Sequence, residues 1–233
     1  MFVLAIDTSN MILSVALVEN KQTLIEINEQ TKNNHSERLM PVIEQAFQEV
    51  DRQVSEIDLI AVAKGPGSYT GVRIGVTVAK TLAWTLNIPL VGVSSLEVLV
   101  GNVKVDGLII PLFDARRENV FAGVYHGSSH EWVIEDGHYS LNQLLQHLAH
   151  RKENLYFIGC DVFHYWKCIT GVLGAKAHNI TDESLNVPHG SVLANLAISK
   201  APVENVHTFA PHYHRLPEAE VNWLKSQKEQ DNG

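Results

Sequence analysis

The spacing of apolar positions changes period several times along the chain. Phe2 to Ile6 is an unbroken apolar run and reads as a buried strand. Leu13 to Val18 and Gln22 to Ile27 follow, joined by Glu19-Asn20-Lys21, and read as a hairpin. Next comes a segment with Leu39, Met40, Ile43, Ala46, Phe47 and Val50 on one face at helical spacing. Asn34 or Ser36 can cap its start. Asp58 to Ala63 is a strand, Thr70 to Leu86 a helix and Pro89 to Val93 a short strand. The order β-β-β-α-β-α-β describes a mixed sheet covered by helices, so the expected class is α/β.

The order then begins again. Leu108 to Phe113 is a strand ending at Asp114. Val120 to Tyr125 and Glu131 to Ile134 form a second hairpin. Leu141 to His150 is helical, Leu155 to Ile158 a strand and Val162 to Ile169 helical. Laying Asp114 on Asp7 puts Val120 on Leu13 and Tyr125 on Val18 without a gap, although identity is almost nil. We expect a duplicated β-β-β-α-β-α unit with a cleft between its halves. Residues 1–103 form the first half and 104–226 the second, divergent one. The last helix, Gly190 to Ala201, packs back, and the polar tail 227–233 is disordered.

Composition narrows the class of partner. The net charge of -8 argues against autonomous binding to nucleic acid, which needs a basic face to displace counterions. The cysteines, Cys160 and Cys168, suit a reducing compartment. The start meets an acid at Asp7 with no basic segment before it, so it is not read as a signal peptide. No apolar run approaches membrane-spanning length. The expected location is the cytoplasm, with no membrane partner.

Gly65-Pro66-Gly67-Ser68-Tyr69-Thr70-Gly71-Val72-Arg73-Ile74-Gly75 is the most specific stretch. A strand leads into a glycine-rich turn, and the turn into a helix. Such a turn presents the N–H groups of a helix N-terminus, where an anion could sit. The Lys-Ser/Thr pair of a P-loop is missing, because Val72 and Arg73 follow Gly71. This loop is built like a phosphate loop but lacks its charged residue.

Together with Ala5-Ile6-Asp7-Thr8-Ser9, His35-Ser36-Glu37-Arg38-Leu39, Gly92-Val93-Ser94-Ser95-Leu96 and Asp114-Ala115-Arg116, this loop resembles the TsaB family, also called YeaZ. The likeness extends to Pro211-His212-Tyr213-His214-Arg215, where the family usually has Leu between Tyr and Arg. Residues 128–188 carry no signature of the family. The resemblance implies an actin-like ATPase (ASKHA) fold of two ribonuclease-H-like halves. It implies a noncatalytic subunit, a glycoprotease-like pseudoenzyme. Such a subunit pairs with TsaD, and with TsaE, in forming threonylcarbamoyladenosine beside the anticodon of tRNA. A homodimer is implied when TsaD is absent, and contact with tRNA comes through the complex. No cofactor of the chain's own is implied; ATP or ADP at or near the joint interface is left open.

Candidate residues follow, each beside its plainer alternative. Asp7, Thr8 and Ser9, with Gly65, Gly67 and Ser68, occupy positions where the resemblance places a vestigial phosphate loop. A carboxylate there suits hydrated Mg²⁺, or Asp7 simply ends a strand. The catalytic relative carries two histidines at i and i+4. Here His35 is followed four residues on by Leu39, and one histidine is not a metal site, so His35 is expected to help cap the helix. Gly71, Gly75, Ala79 and Ala83 form a ridge of small residues, and Ile74, Val78 and Leu82 make the other side apolar too. A helix apolar nearly all round is covered on two sides. The expected subunit interface therefore comprises Leu39, Met40, Ile43, Ala46, Phe47, Gly71, Arg73, Ile74, Gly75, Val78 and Leu82. On this expectation a charge at Ile43 or Ile74 abolishes association without unfolding. The alternative is that the stripe is core. Arg73 pairs across that interface or lies along the surface with its head in water.

Asp114 and Arg116 make a possible second-half cleft site or a solvated turn. Cys160, His164 and Cys168 fall at i, i+4 and i+8, on one helical face, but no fourth ligand closes a zinc set, and small buried residues are the plainer account. No catalytic residue and no metal site is expected. The competing function is an enzyme of the same fold, an ATP-dependent small-molecule kinase or a metallopeptidase. A kinase needs phosphate clamps and a base, and the second half offers no glycine pair for an adenosine. A metallopeptidase needs ligands that the sequence does not supply. A homodimeric binding module without a preferred partner is the third possibility.

Overall fold

The structure, a computed structural model, describes residues 1–30 and 34–213. The expected tail 227–233, and the second half from 214 onward, lie outside the described residues. Two five-stranded mixed sheets form the frame. The first contains β1 (Phe2–Asp7), β2 (Ile12–Glu19), β3 (Gln22–Gln30), β4 (Leu59–Ala63) and β5 (Leu90–Val93) in the order β3-β2-β1-β4-β5. The second contains β6 (Leu108–Asp114), β7 (Asn119–His126), β8 (Trp132–Ser140), β9 (Leu155–Ile158) and β10 (Ala177–Asn179), ordered β8-β7-β6-β9-β10. Strand for strand, the second order repeats the first. In each sheet the central strand pairs antiparallel with the hairpin and parallel with the following strand.

The ungapped overlay slips by one residue. Asp7 pairs with Ser14, whereas Asp114 pairs with Val120, so the second turn is one residue shorter and Val120 answers to Ser14 rather than Leu13. β8 also continues to Ser140, well past the expected Ile134.

β1 and β4 are buried on both faces, which explains their unbroken apolar sequence. On one face Leu4, Ile6, Ile60 and Val62 pack under α1 (His35–Glu49) and α2 (Tyr69–Leu86). On the other, Val3, Ala5, Ala16, Ala61 and Ala63 meet Leu193, Ala194 and Ala197 of the C-terminal helix, Gly190–Ile198. Alanines on both sides let this helix lie close to the sheet, and a Cβ at Gly190 would press on Ala16. The helix stops at Ile198, short of the expected Ala201, and closes with tighter bonds from the Ser199 and Lys200 N–H groups to the Leu196 and Ala197 carbonyls, with Pro202 just beyond.

A short helix, α3 (Ser95–Val100), joins the halves. Ser94 caps it by accepting from the N–H groups of Leu96 and Glu97. Val98 belongs to the first-half core, whereas Leu96, Leu99 and Val100 pack with Ile109, Phe113, Tyr125 and Ile158 of the second. The second sheet's other face is covered by α4 (Leu141–Ala149) and α5 (Val162–Leu173). With α3, α4 and α5 assigned, the C-terminal helix is α6.

Residues 201–213 run as a strap along the first half. The Val203 N–H donates to the Leu90 carbonyl and the His212 N–H to the Lys64 carbonyl. Lys80 Nζ donates to the carbonyls of His207 (3.0 Å) and Phe209 (2.6 Å). Phe209 lies against Gly92, where a Cβ would collide with its ring. The strap thus covers the open edge of β5, which would otherwise expose unpaired backbone.

Candidate functional site: the glycine loop and the face of α1 and α2

The glycine loop closes against the turn that follows β1. The Ser68 N–H donates to the Ser9 carbonyl at 2.7 Å, and Thr8 Oγ1 donates to the Gly71 carbonyl at 2.7 Å. The Gly71 N–H is taken by Ser68 Oγ, the cap of α2. Cβ atoms at Gly67 and Gly71 would collide with the carbonyl oxygens of Ser9 and Thr8, and one at Gly75 with Thr8 Oγ1. Gly65 and Gly67 also hold positive φ, +99° and +156°. The glycines therefore let the loop and the first turns of α2 lie directly on Thr8 and Ser9. The loop is thereby held against the backbone of the turn after β1.

Asp7, Thr8 and Ser9 are buried. Asp7 Oδ1 accepts the Ser9 N–H at 2.8 Å, while Asp7 Oδ2 and Ser9 Oγ have no protein partner. Burial pushes the Asp7 carboxyl above the usual range, and the Ser9 bonds and the nearby His35 only partly oppose this. His35 opens α1 but does not cap it. Its Nε2 bonds the Asn10 carbonyl at 2.7 Å and ties the helix to the same turn, and Asn34 is the cap residue without a side-chain bond.

The expected interface residues divide into two groups. Leu39, Ile43, Ala46 and Phe47 are core: they are 0–4% exposed and pack on β1, β2 and β4. Gly71 and Gly75 are spent on Thr8, and Ala79 and Ala83 are equally buried. In the isolated chain these six expected interface residues face their own sheet and the β1 turn, so the surface they present to a partner is small. Met40 is 49% exposed, Arg73 is exposed, and Ile74, Val78 and Leu82 are half-buried at the rim of the core. Met40, Pro41, Glu44 and Gln48 also edge a shallow groove along α1, with Ile43 and Phe47 in its lining.

At the N-terminal end of α2, Tyr69 and Tyr213 stand with ring centroids 5.0 Å apart, both 42% exposed. The Arg73 guanidinium lies 5.0 Å over the Tyr69 ring, and its Nη1 donates to the Tyr69 hydroxyl at 3.0 Å. The strap delivers Tyr213 to this corner.

Asp114 and Arg116 lie in a different environment from Asp7. Asp114 Oδ1 accepts from the Arg116 N–H (2.7 Å) and the Tyr165 hydroxyl (2.6 Å), and the Asp114 N–H donates to Asp161. Arg116, Arg117 and Glu118 all have φ near +60°, a left-handed turn braced by Asn119 Nδ2 on two carbonyls. The carboxylate therefore anchors the turn to α5, and the Arg116 residue is exposed. Cys160, His164 and Cys168 do not share a helical face. Cys160 lies in the turn before α5, its Sγ on the Asn186 carbonyl, so the i, i+8 relation fails, and both cysteines are exposed rather than buried. Among the described residues no three His, Cys, Asp or Glu side chains come together to hold a metal, and no helix is long and apolar enough to cross a membrane.

Asp136 lies on the part of β8 beyond Ile134, where the sequence carries no strand signal. Its carboxyl accepts the Tyr125 hydroxyl at 2.5 Å and the Ser94 hydroxyl, and so ties the second sheet to the cap of α3. Burial pushes it up; Ser94, Tyr125 and the strap's His212 pull it down, and Glu97 pushes it up. The Ser94-x-x-Glu97 spacing was the available signal for α3.

Comparison with known proteins matches this arrangement. A family model described as "TsaD: tRNA N6-adenosine threonylcarbamoyltransferase" matches residues 23–223. The "tRNA threonylcarbamoyladenosine biosynthesis protein TsaB" of Bacillus subtilis is 44% identical over 231 residues, covering 98% of this chain and 100% of that protein. The chain belongs to the TsaB (YeaZ) family. The YeaZ structure from Pseudomonas aeruginosa superimposes with a TM-score of 0.73 at 26% identity, covering 91% of this chain and 99% of that one. The ROK hexokinase of Thermus thermophilus (TM-score 0.52, 10% identity, covering 85% and 100%) shares the fold alone. The chain thus has the actin-like ATPase fold, with two ribonuclease-H-like sheets.

Proposed function

We propose that the chain is a noncatalytic scaffold and activator in tRNA threonylcarbamoyladenosine biosynthesis. It pairs with a TsaD-type enzyme, and with TsaE, for threonylcarbamoyl transfer to the adenosine beside the anticodon. The glycine loop is the observation that carries this reading. A kinase of this fold needs phosphate clamps at such a loop, and this reading is supported by a loop bonded to Thr8 and Ser9 whose Gly71 N–H is already taken by Ser68. The name of the Bacillus subtilis relative supports the pathway. The exposed or half-buried side chains Met40, Arg73, Ile74, Val78 and Leu82 supply the docking face. Docking acts by biasing the partner's conformations rather than by adding a reacting group. In this reading the chain pairs with itself when TsaD is absent and meets tRNA only through the complex. It holds no nucleotide of its own, ATP or ADP belongs at or near the joint interface, and the complex works in the cytoplasm.

The test is reconstitution with the TsaD and TsaE relatives of the same genome, tRNA, ATP and threonylcarbamoyl-adenylate. Modified tRNA is expected only when this chain is present, and the chain alone is expected to leave ATP unhydrolysed. ATP turnover by the pure chain, lost on Asp7→Ala, would instead establish an enzyme.

A further inference from the structure

We propose that Arg73 reads charge on the docking face, seating a carboxylate of the TsaD-type partner beside Tyr69 and Tyr213. This rests on the scaffold reading and adds to it the residue that selects the partner.

The other arginines of this half are matched. Arg38 is bound by Glu29 at 2.7 Å, and Arg52 by Glu19 (3.0 Å) and Glu56 (2.9 Å). Lys80 is spent on strap carbonyls. Arg73 has no carboxylate within 4.0 Å among the described residues, and only the Tyr69 hydroxyl holds it. It stands one turn into α2, where a cation opposes the helix dipole rather than complementing it. Its cost is not repaid within the described chain, which points to an anion arriving from outside.

The surroundings favour a protein carboxylate over a nucleic-acid phosphate. A guanidinium has five donors, and Tyr69 uses one, so a two-pronged face remains for a carboxylate. Two half-exposed tyrosines beside an arginine have the composition of an interface hot spot. Next along the helix lie Ile74, Val78 and Leu82, the half-buried ridge that the same partner would cover. A phosphate backbone needs several cations in a row, whereas among the described residues of α2 the other cation, Lys80, is engaged by the strap, and the chain carries a net charge of -8. The strap steadies the site, since Lys80 fixes residues 207 and 209 and Tyr213 then braces Tyr69.

The experiment is a titration of the full chain against its TsaD relative at low and moderate salt, with Arg73→Glu, Arg73→Lys and Ile74→Glu, each checked for an unchanged melting temperature. Reversing a desolvated interface charge is expected to weaken binding about tenfold or more, with Arg73→Lys intermediate and the salt dependence reduced in Arg73→Glu. A carboxylate-to-lysine change on the partner that restores binding to Arg73→Glu would complete the proof. Failure of Ile74→Glu with normal binding by Arg73→Glu would overturn this inference and leave the scaffold reading standing. Normal binding by both would overturn the scaffold reading itself. Unchanged subunit affinity with weaker retention of tRNA by the assembled complex would assign Arg73 to phosphate and also overturn the proposal.

Discussion

Asp7 and Glu26 are both carboxyls under cover, but burial works on them with opposite results. Asp7 has one accepting bond and one oxygen without a protein partner, so its neutral form is favoured and its folded pKa lies above the unfolded one. Folding is then most favourable in acid and loses stability as pH rises from the unfolded value through the folded one. Asp7→Asn keeps the shape and removes that loss. It is expected to gain roughly 1–3 kcal/mol at pH 7.5 and little at pH 4, read from urea titrations at both pH values. Glu26 is also pushed up by desolvation, but His189 at 3.3 Å and both the N–H and hydroxyl of Ser191 outweigh it, and its net shift is downward. The His189 imidazole is raised by its bond to Glu26. The Glu26 contribution is present above the ordinary carboxylate pKa and fades as pH falls through the lowered one. The His189 contribution is full below the ordinary imidazole pKa and fades as pH rises through the raised one. Glu26→Gln should therefore cost about 1 kcal/mol near pH 6 and less at pH 8.5, by the same titrations.

At the scale of elements, apolar periodicity located α1 and α2 within a residue or so, because burying one face demands it. Periodicity gives a face but not what covers it. Ile43 and Ile74 looked equivalent in sequence, yet Ile43 is 2% exposed beneath α1 and Ile74 is half-buried on the rim. Ile43→Glu is thus expected to cost about 3 kcal/mol or more and to lower the melting temperature sharply. Ile74→Glu should melt within a few degrees of wild type. The small-residue ridge misled for a related reason: Gly71 and Gly75 do admit a close backbone, but it belongs to Thr8 of the same chain. Contacts between residues 63 positions apart, such as Thr8 with Gly71, leave no local pattern to read.

At the scale of the molecule, the duplication was legible because strand, hairpin and crossover recur in the same order. The joint was not. The helix α3 is only six residues long, too short for a periodic pattern, and its cap Ser94 lies inside the family motif. Yet α3 sends Val98 into one core and Leu96, Leu99 and Val100 into the other, and Ser94 holds Asp136 across the seam. The two halves should therefore unfold together. Leu99→Ala is expected to lower one calorimetric transition, by about 2–5 kcal/mol, rather than split it into two.

Under the proposed function the chain works by docking through the half-open outer ridge of α2. Its mass on a sizing column with light scattering, alone and mixed with its TsaD relative, tests that most directly. A homodimer that converts to a stable mixed complex, with Ile74→Glu folded but unable to form either, is the predicted result. A folded chain that ignores the TsaD relative with or without nucleotide and TsaE, and associates equally well as Ile74→Glu, would contradict it.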